Sequence, residues 1–271
     1  MFRVLGRQHP TIRRLRVLRR DPARRRAESV LVAEGIHLAQ EALATSRASV
    51  ELVVLSPELG RTEEGRRLIA ALRQSEVRCF ETSDSVIQSL QDARSAQPIL
   101  AVVRRPRWPP DSGLETAQPG ALLAVAHGIQ DPGNLGSLVR TLHAAGGTAC
   151  FVDPGCADPF HPRAVRAGMG SMLRLPVLSE PTADLLPRLR ERGIALLGAD
   201  AAGEQEYQDC DLARSVAIFF GGEGRGLPPE LLAELDETVR VPLQSGVDSL
   251  SVGAAAAVLL FEAARQRSAT R

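Results

Sequence analysis

The sequence predicts an α/β protein of two domains, a small α/β domain followed by a larger one built on a parallel sheet. At 271 residues the chain is long enough for two hydrophobic cores. Apolar runs of strand length alternate with helical patterns, an order typical of sheets covered by helices. Residues 104–120 interrupt this order with four prolines and two glycines, and they predict a linker.

The N-terminal domain is predicted at residues 27–103. Strands are expected at 28–33, 50–55, 77–81 and 99–103, and helices at 35–46, 62–74 and 83–91. Alternating elements of this length predict a small α/β sandwich.

The C-terminal domain is predicted at residues 121–271, where nearly continuous apolar strands indicate a parallel sheet buried on both faces. Strands are expected at 121–127, 148–152, 194–198, 215–220 and 238–242, and helices at 134–145, 161–169, 181–192, 228–235 and 249–267. Ligands bind such sheets beyond the carboxyl ends of the strands. The loops after 121–127, 215–220 and 238–242 are therefore expected to form the site.

Residues 1–26 are predicted to be a basic N-terminal arm. They contain one acid and ten arginines: Arg3, Arg7, Arg13, Arg14, Arg16, Arg19, Arg20, Arg24, Arg25 and Arg26. Such a cluster favours contact with the phosphate backbone of a nucleic acid. A solvated helix face is the alternative, and the whole chain has a net charge of only +1.

The remaining composition predicts a cytoplasmic protein that binds neither membrane nor metal. No apolar run is long enough to span a bilayer, and the N-terminal residues lack the pattern of a signal peptide. The four cysteines form no C-x-x-C pair and have no histidine at metal-ligand spacing, so they are expected to be reduced and inert.

The first of the three loops reads DPGNLGSLVR, residues 131–140. Its Pro-Gly pair predicts a turn after the strand, and Asn134 is suited to cap the helix that follows. Gly136 in the first helical turn indicates close approach of another group. Arg140 lies further along, where a surface arginine is the ordinary interpretation.

The second loop, GGEGRGL, places four glycines within six residues directly after a buried strand. Backbone amides in such a loop are open to a ligand. The spacing does not match the dinucleotide fingerprint, which argues against a nucleotide-dependent oxidoreductase. Glu223 among these glycines could bind a hydroxyl, an amine or an arginine.

The third loop, VPLQSGVDSLSV, leads into a helix that begins with small residues. Asp248 or Ser249 is expected to cap that helix. Small residues in its first turns allow other backbone to pack very closely.

Together the three loops resemble the motifs of the SpoU (TrmH-type) RNA ribose 2′-O-methyltransferases. Residues 32–43, VAEGIHLAQEAL, are similar to the start of the L30e-like RNA-binding domain that many members have. The resemblance implies a C-terminal domain with a deep trefoil knot, S-adenosylmethionine as methyl donor, and a homodimer with the site completed near the subunit interface.

The resemblance also implies roles for individual residues. Arg140, Asn134, Glu223 and Ser249 match the polar catalytic positions, and Gly221, Gly222, Gly224, Val241, Leu250 and Ser251 match the cofactor-binding positions. Arg140 is the family's proposed base, although a guanidinium is a poor base, which favours a second interpretation as a phosphate clamp. Ser251 departs from the family pattern, which has asparagine at this position.

The L30e-like domain favours large-subunit (23S) rRNA as the substrate, because members that act on tRNA often lack it. Two alternatives stay open. One is a tRNA 2′-O-methyltransferase, and the other is a non-catalytic RNA-binding or ribosome-assembly protein that retains the fold.

Overall fold

The computed structural model describes residues 2–45, 47, 49–91, 96–115 and 120–269. The chain forms two compact units. The N-terminal unit comprises Met1–Arg107 and Phe160–Arg174, and the C-terminal unit comprises Trp108–Pro159 and Leu175–Arg271. A short segment from the second half of the chain therefore belongs to the N-terminal unit.

The N-terminal unit is built on a five-stranded mixed sheet. Its strands are β1 (Arg3–Val4), β2 (Val30–Glu34), β3 (Ser49–Leu55), β4 (Arg78–Glu81) and β5 (Ile99–Arg104), in the order β1-β4-β3-β5-β2. β4 is parallel to both of its neighbours, whereas β5 is antiparallel to both of its own. The four predicted strands are present within two residues of their expected bounds, and β1 was not predicted.

The helices of residues 1–107 are α1 (Pro10–Arg20), α2 (Pro22–Glu28), α3 (Ile36–Ala44), α4 (Glu63–Gln74) and α5 (Asp84–Ser89). The arginine-rich segment is thus folded into two helices. α1 is amphipathic, and it buries Ile12, Leu15 and Leu18 in the core of the sheet. Its buried positions recur every three residues, but the arginines of the helix outnumber them, so the sequence pattern did not indicate a buried face.

Several arginines of this segment serve the fold itself. Arg14 pairs with Glu28 at 2.6 Å and with Glu51 at 2.8 Å. Arg25 is fully buried and donates to the carbonyl oxygen of Leu18 at 2.7 Å. A buried guanidinium needs such acceptors, because desolvating an unpaired charge is costly.

The C-terminal unit contains a seven-stranded sheet in which every pair of neighbours is parallel. In the order β10-β12-β9-β11-β6-β7-β8 the strands are β6 (Leu122–His127), β7 (Ala149–Val152), β8 (Val177–Ser179), β9 (Ala195–Ala199), β10 (Gln205–Glu206), β11 (Val216–Gly221) and β12 (Glu237–Arg240). The predicted parallel sheet is confirmed. β8 and β10 were not predicted, because two or three residues show no periodicity.

The remaining helices are α6 (Pro132–Ala144), α7 (Pro162–Gly168), α8 (Thr182–Glu191), α9 (Pro229–Leu232) and α10 (Val252–Ala269). α8 packs Leu185 and Leu189 against Val125, Phe151 and Phe219 on one face of the sheet. α6 and α10 pack against each other. The central strands β6 and β11 end side by side, with His127 and Gly221 as register partners.

α7 belongs to the segment Phe160–Arg174, which packs within the N-terminal unit. Its Arg166 and the Arg19 side chain both contact the carboxylate of Glu34, whose side chain is only 1% exposed. These ion pairs link the segment to α1 and β2, and removal of one arginine would be destabilising because it leaves the buried carboxylate incompletely paired. No helix in the described ranges is long and apolar enough to cross a membrane.

Candidate active site

A cavity of about 420 Å³ opens beyond the carboxyl ends of the central strands of the parallel sheet. This volume lies within the range of small-molecule sites. Its lining includes the predicted residues Gly221, Gly222, Glu223, Gly224, Val241, Ser249, Leu250 and Ser251. Eight of the ten residues selected from the sequence therefore surround one cavity.

The second loop folds back as a tight hairpin at one side of this cavity. The backbone of Gly222 pairs with that of Gly226, whose amide donates to the Gly222 carbonyl oxygen at 3.0 Å. Gly224 and Gly226 have φ angles of +77° and +65°, which favour glycine. The turn fixes Glu223, Gly224 and Arg225 at its tip.

The hairpin packs too closely for a side chain at its base. A Cβ atom on Gly221 would lie 2.1 Å from the carbonyl carbon of Gly226, and one on Gly222 would lie 2.1 Å from the carbonyl oxygen of Gly128. These glycines therefore bring the first loop, β11 and the returning hairpin into direct backbone contact.

Glu223 joins the first loop to the second. Asn134 Nδ2 donates to its Oε1 at 2.7 Å, and the amide of Gln130 donates to its Oε2 at 3.1 Å. Burial alone would raise the pKa of the Glu223 carboxyl, but these hydrogen bonds outweigh it and hold the pKa below its usual range. Glu223 is thus a fixed, ionised carboxylate at the cavity.

Asp131, and not Asn134, caps α6. The Asp131 carboxylate accepts from the amides of Gly133 at 2.7 Å and Asn134 at 3.0 Å. The helix begins at Pro132, where a missing amide proton costs nothing. The predicted cap was wrong by one turn, and the Asn134 side chain is free to hold Glu223 because Asp131 takes the capping role.

The cap predicted for α10 also lies elsewhere. The helix begins at Val252, and Ser251 Oγ accepts from the amide of Ala254 at 3.3 Å. Asp248 and Ser249 lie before this cap, and Ser249 lines the cavity instead. Ser251 therefore sets the start of the helix whose first turns close one wall of the cavity.

The first loop is tied to the loop after β7 by contacts that the sequence did not predict. Gln130 Nε2 donates to the Gly155 carbonyl oxygen at 2.6 Å, and Cys156 Sγ accepts from the Ile129 amide at 3.3 Å. Burial raises the pKa of the Cys156 thiol to about 11, so this cysteine stays a neutral structural group. The described cysteines are all free thiols.

A polar cluster continues these contacts at the ends of β6, β7 and β8. Thr182 Oγ1 donates to Asp153 Oδ2 at 3.0 Å and lies 3.2 Å from His127 Nδ1. Burial alone would raise the pKa of Asp153, but hydrogen bonds from Thr182 and Gly155 outweigh it and lower the pKa. These residues were not selected from the sequence. The one signal that could have indicated them as part of the site is their position at or just after the ends of strands.

Residues 121–261 match the sequence profile of the SpoU rRNA Methylase family, and residues 9–101 match that of the MRM3-like substrate binding domain. The first match covers more than half of the chain. This chain belongs to the SpoU rRNA methylase family.

Similar proteins extend the SpoU assignment over nearly the whole chain. The 23S rRNA (guanosine(2553)-2′-O)-methyltransferase RlmP of Bacillus subtilis is 30% identical over 228 residues, covering 84% of this chain and 86% of that protein. The AdoMet-bound rRNA methyltransferase from Sinorhizobium meliloti has a TM-score of 0.80 at 26% identity and covers 97% of both chains. The SpoU methyltransferase AviRb from Streptomyces viridochromogenes shares the fold, with a TM-score of 0.86 at 24% identity over 97% of this chain and 100% of that one.

Arg140 lies apart from the cavity in this SpoU chain. It is an exposed residue of α6 and is absent from the cavity lining. It lies six positions after Asn134, which corresponds to about 9 Å along the helix axis and a rotation of about 240°. Asn134 also lies outside the lining but reaches it through Glu223, whereas Arg140 has no such link among the described contacts.

Within the described part of the chain, no group of three or more histidine, cysteine, aspartate or glutamate side chains is arranged to hold a metal ion. The charged side chains that line the SpoU cavity are the carboxylates of Asp200 and Glu223. Asp200 follows β9 and was not selected from the sequence. Its Oδ1 accepts from the amide of Ala202 at 2.8 Å, which fixes it in the turn.

Proposed function

We propose that this chain transfers a methyl group from S-adenosylmethionine to a ribose 2′-hydroxyl of 23S rRNA. The observation that supports this most strongly is the cavity lined by the second and third SpoU loops, to which the first loop is joined by the Asn134–Glu223 hydrogen bond. The Bacillus subtilis relative named for this reaction on 23S rRNA aligns with 84% of the chain.

The chemistry of the lining fits this donor. A sulfonium is a positive charge, and the lining has two carboxylates and no arginine. Val241, Leu243, Leu250 and Leu259 provide an apolar wall for a flat base, while the amides of the glycine hairpin are open to polar groups of the donor. We assign Gly221, Gly222, Gly224, Val241, Leu250 and Ser251 to this binding site.

When bound, the donor supplies a methyl group already activated on positively charged sulfur. The protein then has to align the ribose oxygen with that methyl group and assist departure of the hydroxyl proton. Glu223 is ionised and fixed, so it accepts a hydrogen bond from the ribose, and Asn134 holds the carboxylate in position. Ser249 also lines the cavity, where it offers a hydroxyl.

Arg140 is assigned to the phosphate next to the methylated ribose. Its planar fork suits bidentate contact with phosphate oxygens, and a guanidinium is a poor base. Because Arg140 does not line the cavity of its own chain, we propose that two chains associate and that Arg140 of one serves the cavity of the other.

The exposed apolar residues Val247 and Leu250 in the third loop and Phe261 on α10 support such a homodimer. The close backbone contacts around Gly221 and Gly222 are compatible with the deep trefoil knot of the family, which we propose here. We further propose a cytoplasmic location, since ribosomal RNA is the substrate.

Two catalytically dead variants test the shared site. Arg140→Ala is expected to abolish methylation of a 23S rRNA transcript while binding of S-adenosylmethionine, measured by calorimetry, survives. Mixing Arg140→Ala with Glu223→Gln chains should restore part of the activity, because mixed dimers contain one intact site. No recovery in verified mixed dimers would contradict the exchange of Arg140 between chains.

Mapping of 2′-O-methylation in total RNA tests the substrate. A strain that lacks the gene is expected to lose one ribose methylation in 23S rRNA and to regain it on complementation. Loss of a tRNA methylation would instead identify the tRNA alternative. An unchanged map would favour the non-catalytic alternative.

A further inference from the structure

The arginines of the C-terminal unit are almost all neutralised within the protein. Among those that the structure describes, Arg188, Arg190, Arg192, Arg214, Arg240 and Arg265 pair with carboxylates, and Arg267 donates to backbone carbonyl oxygens. Arg140 and Arg225 are the two described arginines of this unit that make neither kind of contact. The sequence has no lysine, so these two arginines are the permanently charged side-chain cations of this unit that have no such partner among its described residues.

Arg140 already has a place in the proposed reaction, but Arg225 has none. Arg225 lies at the tip of the glycine hairpin, between Gly224 and Gly226, which both line the cavity. Arg225 itself is exposed and absent from the lining, so its side chain extends outward from the rim. Its Cα atom lies at most about 7 Å from that of Glu223, since only Gly224 lies between them.

The arginine does not neutralise the neighbouring glutamate. Glu223 is held by Asn134 and by the amide of Gln130, and it forms no ion pair with Arg225 within 4.0 Å among the described contacts. The positive φ angles of Gly224 and Gly226 fix the turn that separates the two side chains. The rim therefore presents a carboxylate toward the cavity and a guanidinium toward the surrounding solvent.

We propose that Arg225 binds the phosphodiester of the nucleotide being methylated, as a second phosphate-binding residue besides Arg140. This inference rests on the proposed function, because a ribose 2′-hydroxyl always lies beside a phosphodiester on the adjacent 3′ oxygen. Asp200 and Glu223 make the cavity acidic, so an RNA backbone is repelled unless cations stand at the rim. A guanidinium matches the geometry of phosphate oxygens.

Arg225→Ala, Arg225→Lys and Arg190→Ala test this role. Arg190 is a matched control, because it pairs with Glu234 on the surface, and both side chains are about half exposed (46% and 56%). Filter binding of an unmodified 23S rRNA transcript is measured at several KCl concentrations, together with methyl-transfer kinetics and calorimetric binding of S-adenosylmethionine.

For Arg225→Ala the slope of log affinity against log salt is expected to flatten by about 0.7–0.9, the value for one lost phosphate contact. The kcat/KM for RNA should fall about tenfold, as for loss of one charged hydrogen bond, while affinity for S-adenosylmethionine stays within twofold. Arg225→Lys should keep the wild-type salt slope, and Arg190→Ala should match the wild type throughout.

A wild-type salt slope for Arg225→Ala would overturn the proposal. So would a loss of cofactor affinity equal to the loss in kcat/KM, because that result would indicate a structural role for the hairpin. If the wild-type chain methylates no RNA, the proposed function fails, but the binding slopes still decide whether Arg225 contacts phosphate.

Discussion

Gly221→Ala is the substitution that tests most directly how the cavity is built. The added Cβ would lie 2.1 Å from the Gly226 carbonyl carbon and 2.4 Å from the Leu227 amide nitrogen. Ordinary contacts begin near 3.4 Å, so the returning strand of the hairpin must move by roughly 1.3 Å. Both obstructing groups are backbone, and they cannot rotate away as a side chain could.

That displacement should act on catalysis more than on folding. Overpacking of this kind costs about 1–3 kcal/mol of stability. A misplacement of about 1 Å at a reacting centre can reduce the rate about 100-fold, which corresponds to about 2.7 kcal/mol. We therefore expect Gly221→Ala to fold, to bind S-adenosylmethionine more weakly, and to lose about 100-fold or more in kcat/KM.

The assays are calorimetric titration with S-adenosylmethionine and transfer of tritiated methyl groups to a 23S rRNA transcript. Gly6→Ala is the control, because Gly6, like Gly221, has no positive φ, and nothing lies within 4 Å of the added Cβ. It lies between β1 and α1 in the N-terminal unit. Folded Gly221→Ala with wild-type affinity and turnover within threefold of wild type would refute the reasoning.

Three further predictions concern charge. Asn134→Ala removes the 2.7 Å hydrogen bond to Glu223, so the lowered pKa of that carboxyl should rise toward its usual value. The acid limb of the pH–rate profile should then move to higher pH. An unmoved limb would contradict the role given to this hydrogen bond. The pKa of Asp153 is also lowered in the folded protein. Its contribution to the free energy of unfolding is therefore present above the unfolded-state pKa of about 3.9 and is lost as the pH falls through the folded-state pKa. Urea unfolding should therefore show the largest stability difference between wild type and Asp153→Asn near pH 7 and a vanishing one in acid, whereas a difference independent of pH would contradict the assignment. Replacing Arg13, Arg16 and Arg20 with glutamine should flatten the slope of log RNA affinity against log salt by about 2. The control is Arg67→Gln, because Arg67 is a surface arginine paired with Glu63. Equal slopes for the triple variant and the control would show that α1 does not contact RNA.

The sequence was sufficient for the parallel sheet and for the residues around the cavity. Strands such as β6 and β11 are buried on both faces, so they appear as short continuous apolar runs, and their length and alternation with helical patterns indicate strands. The loop after β6 contains a Pro-Gly turn, and the loop after β11 contains four glycines around Glu223. Both patterns indicated a ligand-binding loop. Position after a strand predicted that the loops meet at one edge of the sheet, and the resemblance to the family motifs selected Gly221, Glu223 and Leu250 within them.

Local competition between similar residues was harder to predict. Asp131 and Asn134 are both good helix caps, and so are Asp248, Ser249 and Ser251. Which one caps depends on the tertiary contact that occupies its rival, such as Glu223 for Asn134. Contacts across loops, such as Gln130 with Gly155, leave no periodic signal at all.

The N-terminal helices show the opposite difficulty. In α1 the arginines suggested a solvated or RNA-binding segment, yet Ile12, Leu15 and Leu18 are fully buried. Charge dominated the sequence pattern because long arginine side chains can cover a core and still reach water. Separating Arg25, which is buried, from Arg13 and Arg20, which are exposed, required the structure.

The position of Phe160–Arg174 has a consequence for domain exchange between SpoU proteins. A chimera cut at residues 104–120 would separate Glu34 from Arg166, although the Glu34 side chain is only 1% exposed. A foreign C-terminal half would have to supply its own arginine at that point, or leave a buried carboxylate with Arg19 alone. Recombination that keeps this fold intact therefore transplants residues 160–174 together with the rest of the N-terminal unit, because two separate stretches of the gene encode that unit.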